Sequence, residues 1–144
     1  MTSLDVTRDG LEAARSALAG KGAVQMVNLL RYRAIADYGA GGEYSPCSGQ
    51  EAYFQRYLPA FAKVASAVVP GETFSVWWVG GVLATLVPPT GETWHAIALV
   101  EYPSFEVLRR IIDSPEYKSD AAPHRRAALE DWRFIAAQKM NLPG

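Results

Sequence analysis

Two histidines, His95 and His124, and a single cysteine, Cys47, are the side chains of this sequence best suited to proton transfer or nucleophilic attack near neutral pH. His124 opens the run His124-Arg125-Arg126 behind Pro123. A histidine beside arginines offers a proton donor or acceptor next to a group that stabilises developing negative charge. His124 and Arg125 are therefore the catalytic candidates. Each also has a structural reading: an exposed histidine, and an arginine that clamps a carboxylate or carbonyl groups of the same chain. Asn28 interrupts the apolar run VQMVNLLRY. A buried amide without a partner costs about 1–3 kcal/mol, so Asn28 either bonds the protein or orients a carbonyl or hydroxyl of a ligand. Tyr57, Trp94 and Tyr102 join it as substrate-binding candidates, because an aromatic wall with few polar points suits a planar, hydrophobic metabolite. Most other aromatics, among them Tyr53, Phe61, Phe74 and Trp132, read as core.

Several chemistries lack their residues. No glycine-rich phosphate loop is present, no Gly-x-Gly-x-x-Gly opens a helix, and no serine sits in a nucleophile elbow. Two histidines with no third ligand nearby in sequence make no metal motif, so neither a metal nor a cofactor is expected. A formal net charge of −1 lacks the basic footprint of a nucleic-acid binder. A lone cysteine cannot close an intramolecular disulfide, which fits a reducing compartment. Asp5, Arg8 and Asp9 stand where a secretion signal needs an apolar core. The uncharged stretch from Thr73 to Gly91 is broken by Gly80-Gly81 and Pro88-Pro89 and reads as a buried strand, not a membrane span. The expectation is a cytoplasmic protein with no membrane partner.

The elements that must position these residues follow from periodicity. A chain of 144 residues, 49% apolar, suits one domain. Asp9 to Leu18 has helical spacing and stops at Gly20 and Gly22, giving an N-terminal helical extension over residues 1–22 ahead of a domain at 23–140. Val24 to Tyr32 is apolar on both alternating faces, the mark of a strand covered on both sides. Gly39 to Gly49, with Tyr38 and Tyr44, reads as a surface loop or a mobile lid. Gln50 to Val68 carries the strongest helical stripe, with a kink or broken ladder expected at Pro59. Phe74 to Val87 reads as one long strand bent by a bulge at Gly80-Gly81, or as a hairpin turning there. Trp94 to Tyr102 is a strand that ends at Pro103. Ser104 caps a helix over Phe105 to Ile112, and Ser114-Pro115 restarts it. A helical stretch from Ala121 to Asp131 places Arg125, Leu129 and Trp132 on one side, and Arg133 to Met140 forms the last strand. Arg31 and Glu101 are expected to form a cross-strand ion pair on the opposite sheet face.

After the leading helix the order is β-α-β-β-α-β, a ferredoxin-like α+β arrangement with the first and third strands central. The segments VQMVNLLRYR, SGQEAYFQRY and TWHAIALVEYPSFEVLRRIIDSPEYKSDAAPHRRAALEDW resemble the DUF1330 family of the dimeric α+β barrel superfamily over about residues 22–138. Most telling is Tyr102-Pro103-Ser104, then Ser114 to Tyr117, then Arg125 or Arg126. The resemblance implies a ferredoxin-like subunit that pairs through its sheet into a homodimer. Its superfamily contains cofactor-free monooxygenases, heme-degrading enzymes and muconolactone-isomerase-like proteins, and fold alone does not choose among them. The functional expectation is a small-molecule-binding protein, with a cofactor-independent oxygenase, isomerase or cyclase acting on a hydrophobic, oxygenated metabolite as its catalytic form; the alternative is a non-catalytic dimeric binding or accessory protein. The pocket is expected between sheet and helices, with Asn28 and Trp94 at its floor.

Overall fold

Apolar residues on both faces make Val24–Tyr32 the centre of the sheet, and this strand, β1, runs over the expected residues. The computed structural model describes residues 4–40, 42–72 and 74–143. Strands β2 (Ser75–Gly81), β3 (Ala96–Tyr102) and β4 (Leu129–Ala137) complete an antiparallel sheet in the order β2-β3-β1-β4. With β1 and β3 central and helices between the paired strands, this is a ferredoxin-like α+β fold.

Helices cover one face. Helix α1 (Arg8–Leu18) starts at Thr7, whose hydroxyl accepts the Gly10 N–H. Helix α2 opens with a capping box between Ser48 and Glu51, widens into a π-helical stretch at Ala52–Tyr57 and continues over Leu58–Val68. Helix α3 (Phe105–Asp113) is capped by Ser104, whose Oγ accepts the Val107 N–H at 3.1 Å. Such a cap contributes about 1 kcal/mol. Ser114 then joins two helices: its hydroxyl donates to Ile111 O and accepts the Tyr117 N–H, so the chain restarts as α4, through a π-helical stretch at Tyr117–Ala121 into Ala122–Ala128.

Both π stretches precede a proline. Pro59 and Pro123 have no N–H to give to the turn behind them, and their rings would clash with its carbonyls. The ladder therefore widens first: Leu58 N–H reaches back to Tyr53 O, and Ala122 N–H to Tyr117 O. The ladder break expected at Pro59 is thus a π turn; it carries the buried Tyr53 and Tyr57, and the π turn before Pro123 carries the buried Tyr117.

Several expectations are corrected. The last strand begins at Leu129, not Arg133, and α4 stops at Ala128, not Asp131. Leu129 and Trp132 fit a helical stripe, but the ladder with β1 (Leu30 opposite Trp132, Arg31 opposite Asp131) holds this segment extended. Trp132 therefore belongs to the sheet. Strand β2 ends at Gly81, opposite Ala96 where β3 begins, with one further bond from Val82 N–H to His95 O at 2.9 Å. Its bulge lies between Val76 and Trp78, not at the glycines. Gly80 has another use: a Cβ there would sit 2.0 Å from the Trp78 ring, so only glycine lets that indole lie across the strand. Trp94 precedes β3 and is no part of a central strand. Arg31 and Glu101 stand at opposite ends of the sheet; Arg31 pairs with Glu130 at 3.4 Å, and Glu101 accepts from Gln25 at 2.8 Å.

Strand alternation sorts the two faces. Val24, Met26, Asn28 and Leu30 turn toward the helices and are buried, as are Ala96, Ala98, Tyr102 and Trp132. Val27, Leu29, Ile97, Leu99, Ile135 and Trp78 turn the other way, where no helix among the described residues covers them. Among the described residues, no helix is long and apolar enough to cross a membrane.

Candidate functional site

The inward-turned aromatics enclose a small cavity, about 50 Å³, between the sheet and α2, α3 and α4. Tyr53, Tyr57 and Phe61 from α2 face Tyr102 and Phe134 of the sheet, with Tyr117 at the start of α4. The rings meet mostly edge to face: Tyr57 and Tyr117 centroids are 6.4 Å apart, Phe61 and Phe74 5.2 Å. Burial pushes the Tyr53, Tyr57 and Tyr102 phenols well above their ordinary pKa, so they stay protonated and serve as hydrogen-bond groups, not as bases.

The polar groups of the wall are linked to one another. Asn28, 6% exposed, accepts the Trp132 indole N–H at 3.1 Å and donates to Ala98 O at 3.4 Å. Because an indole nitrogen only donates, the amide oxygen must face Trp132. The Trp132 ring carries the Arg125 guanidinium 4.4 Å from its centre, a cation–π contact. Arg125 Nε donates to Tyr117 Oη at 3.1 Å, and Tyr117 Oη shares a 2.9 Å hydrogen bond with Tyr57 Oη. That shared bond uses one of the two phenolic hydrogens of the tyrosine pair. The other is not used within this pair. Arg125 itself is 3% exposed; burial works against its charge, and Tyr117, Tyr57 and Asp5 outweigh that and hold its pKa above the ordinary value.

A larger groove, about 510 Å³, lies next to this cavity, under α1, and shares the walls Leu108, Ile112, Trp132 and Phe134 with it. Met26 and Ala136 form its floor, and Leu11 and Ala14 of α1 its roof.

Four of the six candidates named from sequence thus come together: Asn28, Tyr57 and Tyr102 line the cavity, and Arg125 is bonded to its wall. Two stand apart. Trp94 bonds Glu92 at 2.8 Å and lies under Arg133 at 5.1 Å. His124 lies outside the lining of both the cavity and the groove; its Nδ1 is 2.7 Å from Tyr38 Oη, and the Tyr44 ring stands across it at 4.8 Å. Burial, with Arg56 nearby, holds its pKa below the ordinary value. Those contacts fasten the 39–49 loop, of which Gly41 lies outside the described residues; Arg56 also stacks over Tyr38 and Tyr44 and donates to Ser45 O. The other histidine, His95, accepts the Tyr32 backbone N–H at 2.8 Å and stacks on the Tyr32 ring. Tyr117, Trp132 and Asp5 are the site residues that sequence reasoning missed, Trp132 having been read as core. Tyr117 had a signal, since a tyrosine stands six residues before the proline that follows each π stretch, Tyr53 before Pro59 and Tyr117 before Pro123.

Fold and site together define a ferredoxin-like α+β protein with an aromatic cavity on the helical face of its sheet. Among solved structures, the chain is similar to RPA0582, a protein of unknown function from Rhodopseudomonas palustris, at 27% identity over 99% of this chain and 100% of that one, with a TM-score of 0.79. The methylated form of RPA0582 matches at 30% identity over 98% of each chain, with a TM-score of 0.76. The chain belongs to the family of RPA0582. A dimeric protein of unknown function and ferredoxin-like fold from Bacteroides fragilis is similar over 81% of this chain, at 15% identity and a TM-score of 0.41. No family model and no curated protein matches the chain.

Proposed function

We propose that the protein binds a hydrophobic, oxygenated small molecule on the helical face of its sheet, in the aromatic cavity and the groove beside it. One observation carries this reading: the linked polar groups Asn28, Trp132, Arg125, Tyr117 and Tyr57 stand along one side of an otherwise apolar space, with one phenolic hydrogen of the tyrosine pair not used within it. A few placed polar groups in an aromatic wall are the usual make-up of a small-molecule site. The geometry favours binding over proton-transfer chemistry, since His124 faces the Tyr38 loop and burial holds the Tyr57 phenol protonated.

In this reading the chain is also a DUF1330-like member of the dimeric α+β barrel superfamily. In support, Ser104 and Ser114 of the quoted motif cap α3 and restart α4. The protein works as a cytoplasmic homodimer, paired through the open sheet face. Val27, Leu29, Ile97 and Leu99 are only half-buried there, Ile135 is exposed, and Trp78 is 54% exposed. Monomers seldom leave so continuous an apolar surface in water, and a two-fold pair is the commonest way to cover one.

The test is equilibrium dialysis with 1-naphthol, a planar apolar probe with one hydroxyl. The parent protein is expected to bind one molecule per chain, and Val100→Trp, which fills the cavity from β3, to lose that binding. Equal binding by both proteins overturns the cavity assignment.

A further inference from the structure

The guanidinium of Arg125 is deeply buried, but the carboxylate that faces it comes from the surface. Arg125 is 3% exposed, and its Nη2 lies 3.5 Å from Asp5 Oδ1. The Asp5 side chain is 61% exposed and sits on the short segment that leads into α1. The same segment supplies the Leu4 carbonyl, which accepts from Arg125 Nη1. Asp5 is held more closely by the exposed Arg126, at 2.9 Å. On its other side Arg125 is fixed into the binding wall, by Tyr117 and by the Trp132 ring.

The helix that follows this segment is loosely seated. Among the described residues of α1, Leu18 alone is buried. Leu11 and Ala14 are partly buried against the core and line the groove, as do Asp5 and Val6. A groove of about 510 Å³ falls within the usual size of a small-molecule site. Arg125 lines a smaller pocket, about 170 Å³, that shares Asp5, Val6, Leu11 and Ile112 with the groove, so a fixed positive charge stands next to this apolar space. A surface carboxylate and a backbone carbonyl occupy the two positions where a carboxylic acid would place its oxygens.

We infer that the ligand of this site is an apolar carboxylic acid whose carboxylate takes the place of Asp5 on Arg125, with its tail lying in the groove under α1. The inference rests on the binding reading above and adds the charge of the ligand and the residue it displaces. Planar guanidinium and carboxylate groups match in geometry, and a charge-assisted bond inside a water-poor site outweighs the pairing with a half-solvated aspartate. Asp5 and α1 then act as the gate of the site.

The test compares octanoate with 1-octanol, which have the same tail and differ in charge, by titration calorimetry on the full chain. The parent is expected to prefer octanoate by about tenfold or more, the smallest preference that a hydrogen bond to a buried cation gives. Asp5→Asn, at an exposed position that leaves the fold intact, removes the competing charge. It is expected to tighten octanoate by about two- to fivefold and to leave 1-octanol unchanged. Arg125→Gln is expected to abolish the preference. Octanoate binding no tighter than 1-octanol, or an Asp5→Asn effect that moves both probes alike, overturns the inference and leaves the cavity reading in place. Failure of both probes to bind the parent overturns the cavity reading, and this inference with it.

Discussion

Replacing Asn28 by leucine tests whether the amide is committed to the wall of the site. The side chain is buried, and the replacement keeps its approximate volume while it removes both hydrogen bonds. The Trp132 indole N–H then faces apolar surroundings with no acceptor. A buried donor left unpaired costs about 1–3 kcal/mol, and the Asn28–Ala98 bond, at 3.4 Å, is too long to add much. For a chain of this length the loss corresponds to roughly 3–10 °C in the unfolding midpoint. Urea denaturation at fixed protein concentration gives the free energy directly, with concentration held because a dimer's stability depends on it. A double-mutant cycle isolates the pair: in a Trp132→Phe background the donor is gone, and Asn28→Leu is expected to cost at least about 1 kcal/mol less than in the parent. The reasoning is refuted if Asn28→Leu costs under about 0.5 kcal/mol, or costs the same in both backgrounds.

Burial and Arg56 hold His124 below its ordinary pKa of 6.5, so the unfolded chain takes up this proton first. The stability that His124 confers is full above that value and falls as pH drops through the window beneath it. His124→Gln is expected to lose less of its urea midpoint than the parent between about pH 7.5 and pH 5.5; equal losses contradict the assignment. Gly49 leaves no room for a side chain, since a Cβ would sit 2.3 Å from Arg33 O and 2.4 Å from Ala128 O. Gly49→Ala is therefore expected to destabilise by about 1–3 kcal/mol or more in the same denaturation assay. For the open sheet face, Leu99→Lys puts a charge at its centre, between Val27 and Trp78. Sedimentation should show twice the chain mass for the parent and the single chain for the variant; a monomeric parent removes the dimer from the account.

The sequence was most readable where one local signal dominates. The two-sided apolar pattern of Val24–Tyr32 and the serine cap at Ser104 each lead to the right element, and with them to the strand order. It was least readable where the chain passes from helix to strand with no turn between. Between Ala128 and Trp132 no glycine or proline marks the change, and the spacing of Leu129 and Trp132 suits a helix as well as a strand, so pairing with β1 decides. Trp94 was misplaced for a similar reason: WHAIALVEY is strand-like throughout, but β1 and β2 pair with it only from Ala96. The facing of Asn28 depended on register, which alternation alone does not fix, and the structure turns it to the helices. The contact between Asp5 and Arg125 spans 120 residues and leaves no local trace.

The most direct test of the binding site is the Trp132 indole resonance in an ¹⁵N-labelled sample, assigned with a Trp132→Phe variant. Trp132 is the tryptophan whose N–H lies in the wall shared by cavity and groove, whereas Trp77 and Trp78 are exposed on the edge strand β2. On titration with 1-naphthol the account predicts a saturable shift of the Trp132 resonance, with those of Trp77 and Trp78 unmoved. A probe that shifts Trp77 or Trp78 and leaves Trp132 in place contradicts it.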